Sequence, residues 1–395
     1  MMRRPSIIPD PAKRLVPDSG RPGPKPKPAT RLALWSRAAG RCQFEGCNKP
    51  LLGDLVAGDR HLRTGYVAHI VSAGMQGPRC DPELSIQLSD DIGNLMLLCD
   101  PHHIHIDENE IDFPVERLRT MKRMHEETVT RLLDTMGAPR TTILRYGARI
   151  GDLDSPISED ATIKAVMPRF IPESWSSISI AMSGFETKDH DPSFWTTQRD
   201  NLRLSFARQI TARVEEGSLR HLSVFALAPI PLLVELGRLI GDKLAVDVRQ
   251  LTRDPKGWVW PNDRPAGVFR LREPRSLHET IALKVGVSAT MTDERINNAL
   301  GENVSIWSIE VDNPNNDFVR SEGDIARFGA TFHAALDRIK ARHGDRREIN
   351  VFPAIPVSLS VELGRRWMPK ADLPLIIWDQ NARTGGSFPA LRIES

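Results

Sequence analysis

The chain has 395 residues, 40% of them apolar and 26% charged, which suits a soluble globular protein of two or three domains. It contains no run of about 18 apolar residues, and its opening MMRRPSIIPDPAKR lacks the apolar core of a secretory signal, so no membrane contact and a cytoplasmic location are expected. Four cysteines in a reducing compartment favour metal ligation over disulfides, and the net charge of +2 hides an uneven spread: residues 1–50 carry eleven Lys or Arg against three acids.

In chain order, PDSGRPGPKPKP (17–28) predicts an extended, semi-rigid basic arm over residues 1–29, of the kind that meets a polyanion such as DNA. A compact unit is expected over residues 30–136. RLALWSRAAGRCQ predicts a short helix with Leu32, Leu34 and Trp35 as core residues, and PVERLRTMKRMHEETVTRLLDTM (114–136) an amphipathic helix with Pro114 near its start. Residues 137–160, with GAPR and GDLDSPISED, predict a linker.

Residues 161–395 contain an internal repeat. VFALAPIPLLVELGR (224–238) and VFPAIPVSLSVELGR (351–365) agree at nine of fifteen positions at an offset of 127. Each copy follows a long amphipathic segment (196–216 and 324–344) and precedes an apolar strand (244–251 and 373–380). Each also opens with a β-rich segment, ISIAMSGF (178–185) or IALKVGVSAT (281–290). Strands alternating with helices predict an α/β domain with parallel sheets, duplicated into halves of about 161–270 and 271–395. The VELGR segments themselves are expected to be structural, with Gly237 and Gly364 permitting close approach.

Metal-ligand types concentrate in the compact unit. Cys42 and Cys47 in RCQFEGC form one pair, and Cys99 and His102 in CDPHHIHID a second. Together they can close a tetrahedral Zn²⁺ site, with Cys80 as the alternative fourth ligand. Four residues on from His103 lies Asp107, which places both on one helix face.

The order His69 in GYVAHI, Asn94 in IGNLMLLC and His103, interleaved with the cysteine pairs over roughly residues 30–115, resembles the HNH endonucleases, the ββα-metal nucleases. The resemblance implies a metal-dependent DNA endonuclease. His69 would be the general base, Asn94 the residue orienting its imidazole, and His103 with Asp107 the ligands of a catalytic Mg²⁺, Mn²⁺ or Ni²⁺. Many of those nucleases carry Asp or His before the base, where this chain has Ala68.

The nuclease-like unit followed by a duplicated Rossmannoid domain resembles the HNH–SAVED effectors of CBASS, the cyclic-oligonucleotide anti-phage systems. SAVED domains are two fused CARF-like halves. The resemblance implies a cyclic di- or trinucleotide made by a partner nucleotidyltransferase, homo-oligomerisation on binding it, and largely non-specific degradation of double-stranded DNA. From the fold class, the ligand is expected at the carboxyl ends of the strands. Candidate contacts are Ser183 and Phe185, Pro229 and Pro356, and the loop residues Arg253, Lys256, Trp258 and Trp260, where cations beside aromatic faces suit a nucleotide; packing of the tryptophans on the core is the competing reading. Two other functions compete: a zinc-containing, ligand-responsive DNA-binding regulator without catalysis, and a modification-dependent HNH restriction endonuclease.

Overall fold

The computed structural model describes residues 23–54, 59–148, 150, 156–182, 191–261, 267–345, 347–381 and 386–394. The chain divides after Met136 into two compact units.

The first unit opens with α1 (Pro28–Arg37), where Pro28 fills a first-turn position whose N–H would be unpaired anyway. Leu34 is buried and Trp35 packs beside it, but Leu32 is 69% exposed. Two residues along a helix is about 200° of rotation, so Leu32 and Leu34 cannot share a face. A hairpin of β1 (Leu52–Asp54) and β2 (Asp59–Arg63) follows, then a second of β3 (Gly65–His69) and β4 (Leu95–Cys99), with the single-turn α2 (Leu84–Gln87) between its strands. Every residue of β4 is buried. From it the chain passes directly into α3 (Asp100–Glu108). The expected amphipathic helix is α4 (Val115–Asp134), capped by Pro114 and turned inward at Leu118 and Met121.

The second unit begins with β5 (Arg140–Ala148), α5 (Glu159–Val166), β6 (Ile171–Pro172), β7 (Ile178–Met182) and α6 (Pro192–Phe206). A π-helical turn (Ala207–Thr211) leads to α7 (Ala212–Glu215), β8 (His221–Leu227), α8 (Ile230–Ile240) and β9 (Ala245–Val248). A small hairpin, β10 (Thr252–Arg253) and β11 (Lys256–Gly257), and then β12 (Arg270–Arg272) connect to the second half. That half runs β13 (Thr280–Gly286), α9 (Asp293–Leu300), β14 (Val304–Glu310), α10 (Glu322–His343), β15 (Ile349–Ala354), α11 (Val357–Arg366), β16 (Leu375–Asn381) and β17 (Gly386–Ile393).

The sheets correct two expectations. In the first, β5 is central, paired in parallel with β6 and β7 on one side and β8 on the other, and β8 carries β9. In the second, β13 is central, paired in parallel with β14 and β15, and β15 carries β16; antiparallel β12 and β17 close the edges. Both halves therefore share the strand order second, first, third, fourth. The counterpart of β13 is β5, in the stretch expected to be a linker, and β7 matches β14 instead. The first half thus begins near residue 140, not 161. Turn-forming GAPR and GDLDSPISED flank β5, and Thr141, Thr142 and Arg145 interrupt its apolar run, which hides a strand buried from Thr141 to Leu144.

The two VELGR helices, α8 and α11, pack on each other. A Cβ on Gly237 would overlap the carbonyl oxygen of Val361, and one on Gly364 would overlap that of Val234. Exchanging the halves interchanges the two contacts, so the repeat builds a pseudo-two-fold interface within one chain. Beside the crossing, buried Glu235 accepts from Arg203 and Arg238, and buried Glu362 from Arg365 and Arg366. Among the described residues no helix is long and apolar enough to cross a membrane.

Candidate active site and metal centre

Cys42, Cys47, Cys99 and His102 converge: one donor atom from each lies within 4.8 Å of all the others. Cys42 and Cys47 bracket a turn closed by the Cys47 N–H on the Phe44 carbonyl (3.1 Å), with Gly46 at φ +77°, a conformation glycine adopts without a Cβ penalty. Cys99 ends β4, and its N–H donates to Cys42 Sγ (3.4 Å). His102, in the first turn of α3, places Nδ1 3.1 Å from Cys99 Sγ and 3.8 Å from Cys42 Sγ, and its ring stacks on Phe44 at 4.1 Å. Tetrahedral zinc with bonds of about 2.0–2.3 Å needs donor atoms about 3.5–3.8 Å apart; the Cys42–His102 pair stands at 3.8 Å, and side-chain shifts of about 0.5–1 Å would bring the Cys99–His102 pair at 3.1 Å and the rest of the set, all within 4.8 Å, to that spacing. Burial pushes the Cys42 thiol up to about 12, so this sulfur needs a cation to stand as thiolate. Cys80 is exposed and outside the set, and the residue that joins the three other cysteines is His102.

His69 is the last residue of β3, opposite Leu95 of β4. Its Nε2 lies 3.0 Å from the Ser89 carbonyl. A carbonyl only accepts, so Nε2 carries the proton and Nδ1 is left as the basic nitrogen. Asn94 acts differently from expectation. Its side chain exchanges hydrogen bonds with the backbone of Val71 (2.8 and 2.9 Å) and donates to the Leu88 carbonyl (3.2 Å), while its own carbonyl takes the Ile70 N–H. Asn94 thus ties the backbone just after His69 to the backbone just before Ser89, and Ser89 holds the ring. His69 opens onto a cavity of about 830 Å³ also lined by Tyr66, Ser72 and Met75.

On α3, His103 turns away from the cysteines. Its ring stacks on Tyr66 (5.2 Å), and Nε2 lies 3.5 Å from Asp107 Oδ2. The other oxygen of Asp107 accepts from Arg79 (2.7 Å), a guanidinium only 5% exposed that also donates to the carbonyls of Ile70 (2.9 Å) and Ile106 (2.7 Å). Asp107 is therefore engaged by a cation as well as facing His103. Among the described residues, His69, His103 and Asp107 do not gather into a donor cluster as tight as the cysteine set. Arg79 and Ser89 are absent from the sequence reading, since neither a buried arginine nor a backbone carbonyl leaves a spacing signal.

Arg79 ties the loop after His69 to the end of α3, so its removal has a large local effect. Arg79→Ala is expected to lower the stability of the first unit by about 2–4 kcal/mol in chemical denaturation, because three acceptors lose their donor. Arg119→Ala, which removes a solvent-exposed ion pair with Glu116, is expected to stay within about 0.5 kcal/mol. Equal effects would remove Arg79 from this role.

In the second unit, Ser183 and Phe185 lie outside the described residues. Pro229 and Pro356 are the buried N-caps of α8 and α11, so neither is open to a ligand. Trp258 is 6% exposed and packs edge-on against Phe225 at 5.2 Å, which makes it a core residue under the hairpin. Trp260 is half-buried, with the Arg249 guanidinium 6.0 Å over its ring. Arg253 and Lys256 are exposed on the β10–β11 hairpin, and the Arg253 N–H donates to Asp317 (2.9 Å). The loop after β9 also contributes Gln250, whose Oε1 accepts from both the N–H (3.1 Å) and the hydroxyl (2.7 Å) of Ser358, capping α11 from the other half.

Two sheets whose four core strands are parallel and matched in order, joined at a two-fold helix crossing, are the frame on which the sequence comparison falls. Residues 202–393 match the family described as the SMODS-associated and fused to various effectors sensor domain, SAVED. This stretch is a SAVED domain. The match runs from α6 to β17, so β5 and β7 of the first sheet precede it. Among solved structures, the chain is similar to the Acinetobacter baumannii Cap4 SAVED/CARF-domain containing receptor with the cyclic trinucleotide 2'3'3'-cAAA (12% identity, TM-score 0.44, covering 80% of this chain and 67% of that one). It is similar also to that receptor with 3'3'3'-cAAA (12%, 0.43, 80% and 68%) and to the Moraxella osloensis Cap4 receptor (10%, 0.40, 80% and 66%). The chain thus spans about two thirds of the length of these receptors. No curated protein matches.

Proposed function

We propose that this chain is a ligand-gated, metal-dependent endonuclease acting as a CBASS anti-phage effector. A cyclic di- or trinucleotide from a partner nucleotidyltransferase binds the SAVED domain, copies of the chain assemble, and the N-terminal unit cuts double-stranded DNA with little sequence preference. One observation carries the reading: a SAVED sensor shares its chain with a hairpin followed by a helix, β3–β4–α3, that bears His69, Asn94 and His103 in the HNH order.

In this reading Nδ1 of His69 takes the proton from the attacking water, with the Ser89 carbonyl holding the ring in the required tautomer. Asn94 and Arg79 hold the loop behind His69 in register with α3. His103, steadied by Tyr66 and Asp107, would hold a Mg²⁺, Mn²⁺ or Ni²⁺ ion, which when bound neutralises charge developing on the leaving oxygen. The cysteine–histidine set would hold Zn²⁺ and fasten the start of α3.

Gating from about 1% to about 99% active needs the ligand to favour the active state by roughly 5.5 kcal/mol, which one monomer's contacts supply only if they also build a subunit interface. Light scattering is expected to show a higher mass with ligand, and full activity at unchanged mass would reject assembly. The central experiment incubates plasmid with the protein, a panel of cyclic di- and trinucleotides, and Mg²⁺, Mn²⁺ or Ni²⁺. Cleavage is expected with at least one nucleotide and none without, and inertness throughout would sink the proposal. His69→Ala is expected to lower cleavage by about 10²–10⁴-fold while nucleotide binding persists. A second reading, a DNA-binding regulator without catalysis, draws on Ala68 before the base and on the Arg79 pairing of Asp107. It predicts a gel shift without cleavage in every metal.

A further inference from the structure

The cavity that contains His69 has a second wall, formed by the proline-rich arm. Gly23, Pro24, Lys25 and Pro26 line it, as does Arg31 of α1, facing the segment Ser72–Gly77. The arm is anchored at two points. At Gly23 the backbone lies so close to the Ala73 carbonyl that a Cβ would overlap it. At Lys27 the N–H donates to Asp90 Oδ1 (2.8 Å) and the ammonium pairs with Asp90 Oδ2 (2.8 Å). Asp90 neighbours Ser89, whose carbonyl holds the His69 ring. Between the anchors, Pro24 and Pro26 stiffen the strap around Lys25.

The lining chemistry is one-sided. It includes Lys25, Arg31 and His69, four glycines, Ala73 and Ser72, and no carboxylate. Lys25 and Arg31 are exposed, and among the described residues neither forms an ion pair. Two exposed cations and small residues that admit close backbone approach suit a phosphodiester strand.

We propose that the strap Gly23–Lys27 is one wall of the DNA path, and that Lys25 and Arg31 contact the backbone phosphates of the strand lying over His69. This rests on the nuclease reading for its direction, but its test reads binding. The full chain carrying His69→Ala, chosen to suppress cleavage, is titrated without added divalent metal with a short fluorescent duplex at several salt concentrations. Adding Lys25→Ala and Arg31→Ala is expected to reduce the slope of log affinity against log salt by about 2, since each phosphate contact contributes about 0.9. Adding Arg37→Ala and Lys49→Ala instead removes the same charge from outside the cavity and is expected to leave the slope unchanged.

Equal losses from both pairs, no loss from either, or no DNA binding by the His69→Ala parent would overturn the proposal. So would faster cleavage when Lys25→Ala and Arg31→Ala are placed in the wild-type chain, because the strap would then be a lid. If the slope difference stands while the wild-type chain cuts nothing, the nuclease reading fails and the DNA path survives.

Discussion

Cys42→Ser is expected to abolish metal binding at the cysteine–histidine set and unfold the first unit, while the second unit keeps its fold. Structural zinc binds peptides with about 10–16 kcal/mol of apparent free energy, as much as or more than the 5–15 kcal/mol that typically holds a whole domain. The first unit has a small core around Leu34, Leu51, Ile70 and the four residues Leu95–Leu98, and it cannot offset that loss. A buried Cys42 with its thiol pushed up to about 12 becomes a good ligand only with a cation beside it, and serine is a poor substitute. Elemental analysis should show the loss of one metal per chain, and limited proteolysis should cut within residues 30–136. Cys80→Ser, outside the donor set, should change neither. A metal-free Cys42→Ser protein that still resists proteolysis would show that the apolar core suffices.

In the proposed nuclease, the catalytic side chains depend on the same tie. His102 faces Cys99 and Phe44, and His103, about 100° further round α3, faces Tyr66 and Asp107. Whatever anchors His102 therefore aims His103. The two adjacent imidazoles meet different partners because helix geometry points them in different directions, and losing the first contact is expected to disorder the second.

The sequence reveals those features whose physics is local. Cys42–Cys47 and Cys99–His102 are each confined to a turn, so spacing alone predicts two ligand pairs, and tertiary structure only has to bring the pairs together. The VELGR repeat is legible because matching helices keep matching residues. What stays hidden is pairing between distant segments. Nothing within TTILRYGA says that it is the central strand of a sheet, because that follows from β7 and β8 arriving on its two sides. Trp258 looks like a base-stacking platform until Phe225 is found against its ring. Arg79 leaves no signal in the sequence, because its carbonyl and carboxylate partners lie nine, 27 and 28 residues away.

Gly237→Ala is expected to destabilise the second unit by about 2–3 kcal/mol, near the upper end for an overpacked core, even though alanine is the better helix former by about 1 kcal/mol. The obstruction is a backbone carbonyl, that of Val361, and a carbonyl cannot rotate aside as a side chain can. The helices must part, and with them Leu232, Leu233, Leu359 and Leu363, all fully buried around the crossing. Gly364→Ala should cost about the same, because exchanging the halves turns one contact into the other. The double variant should cost clearly less than the sum, since helices already separated for one methyl admit the second with little further strain. Gly386→Ala, where a Cβ meets nothing within 4 Å, is the control and should shift stability by no more than about 0.5 kcal/mol. Urea unfolding followed through the second unit's tryptophans gives all four values. Strict additivity would mean that the two glycines act at separate places, and a Gly237→Ala protein as stable as the parent would mean that the halves are not held together at this crossing.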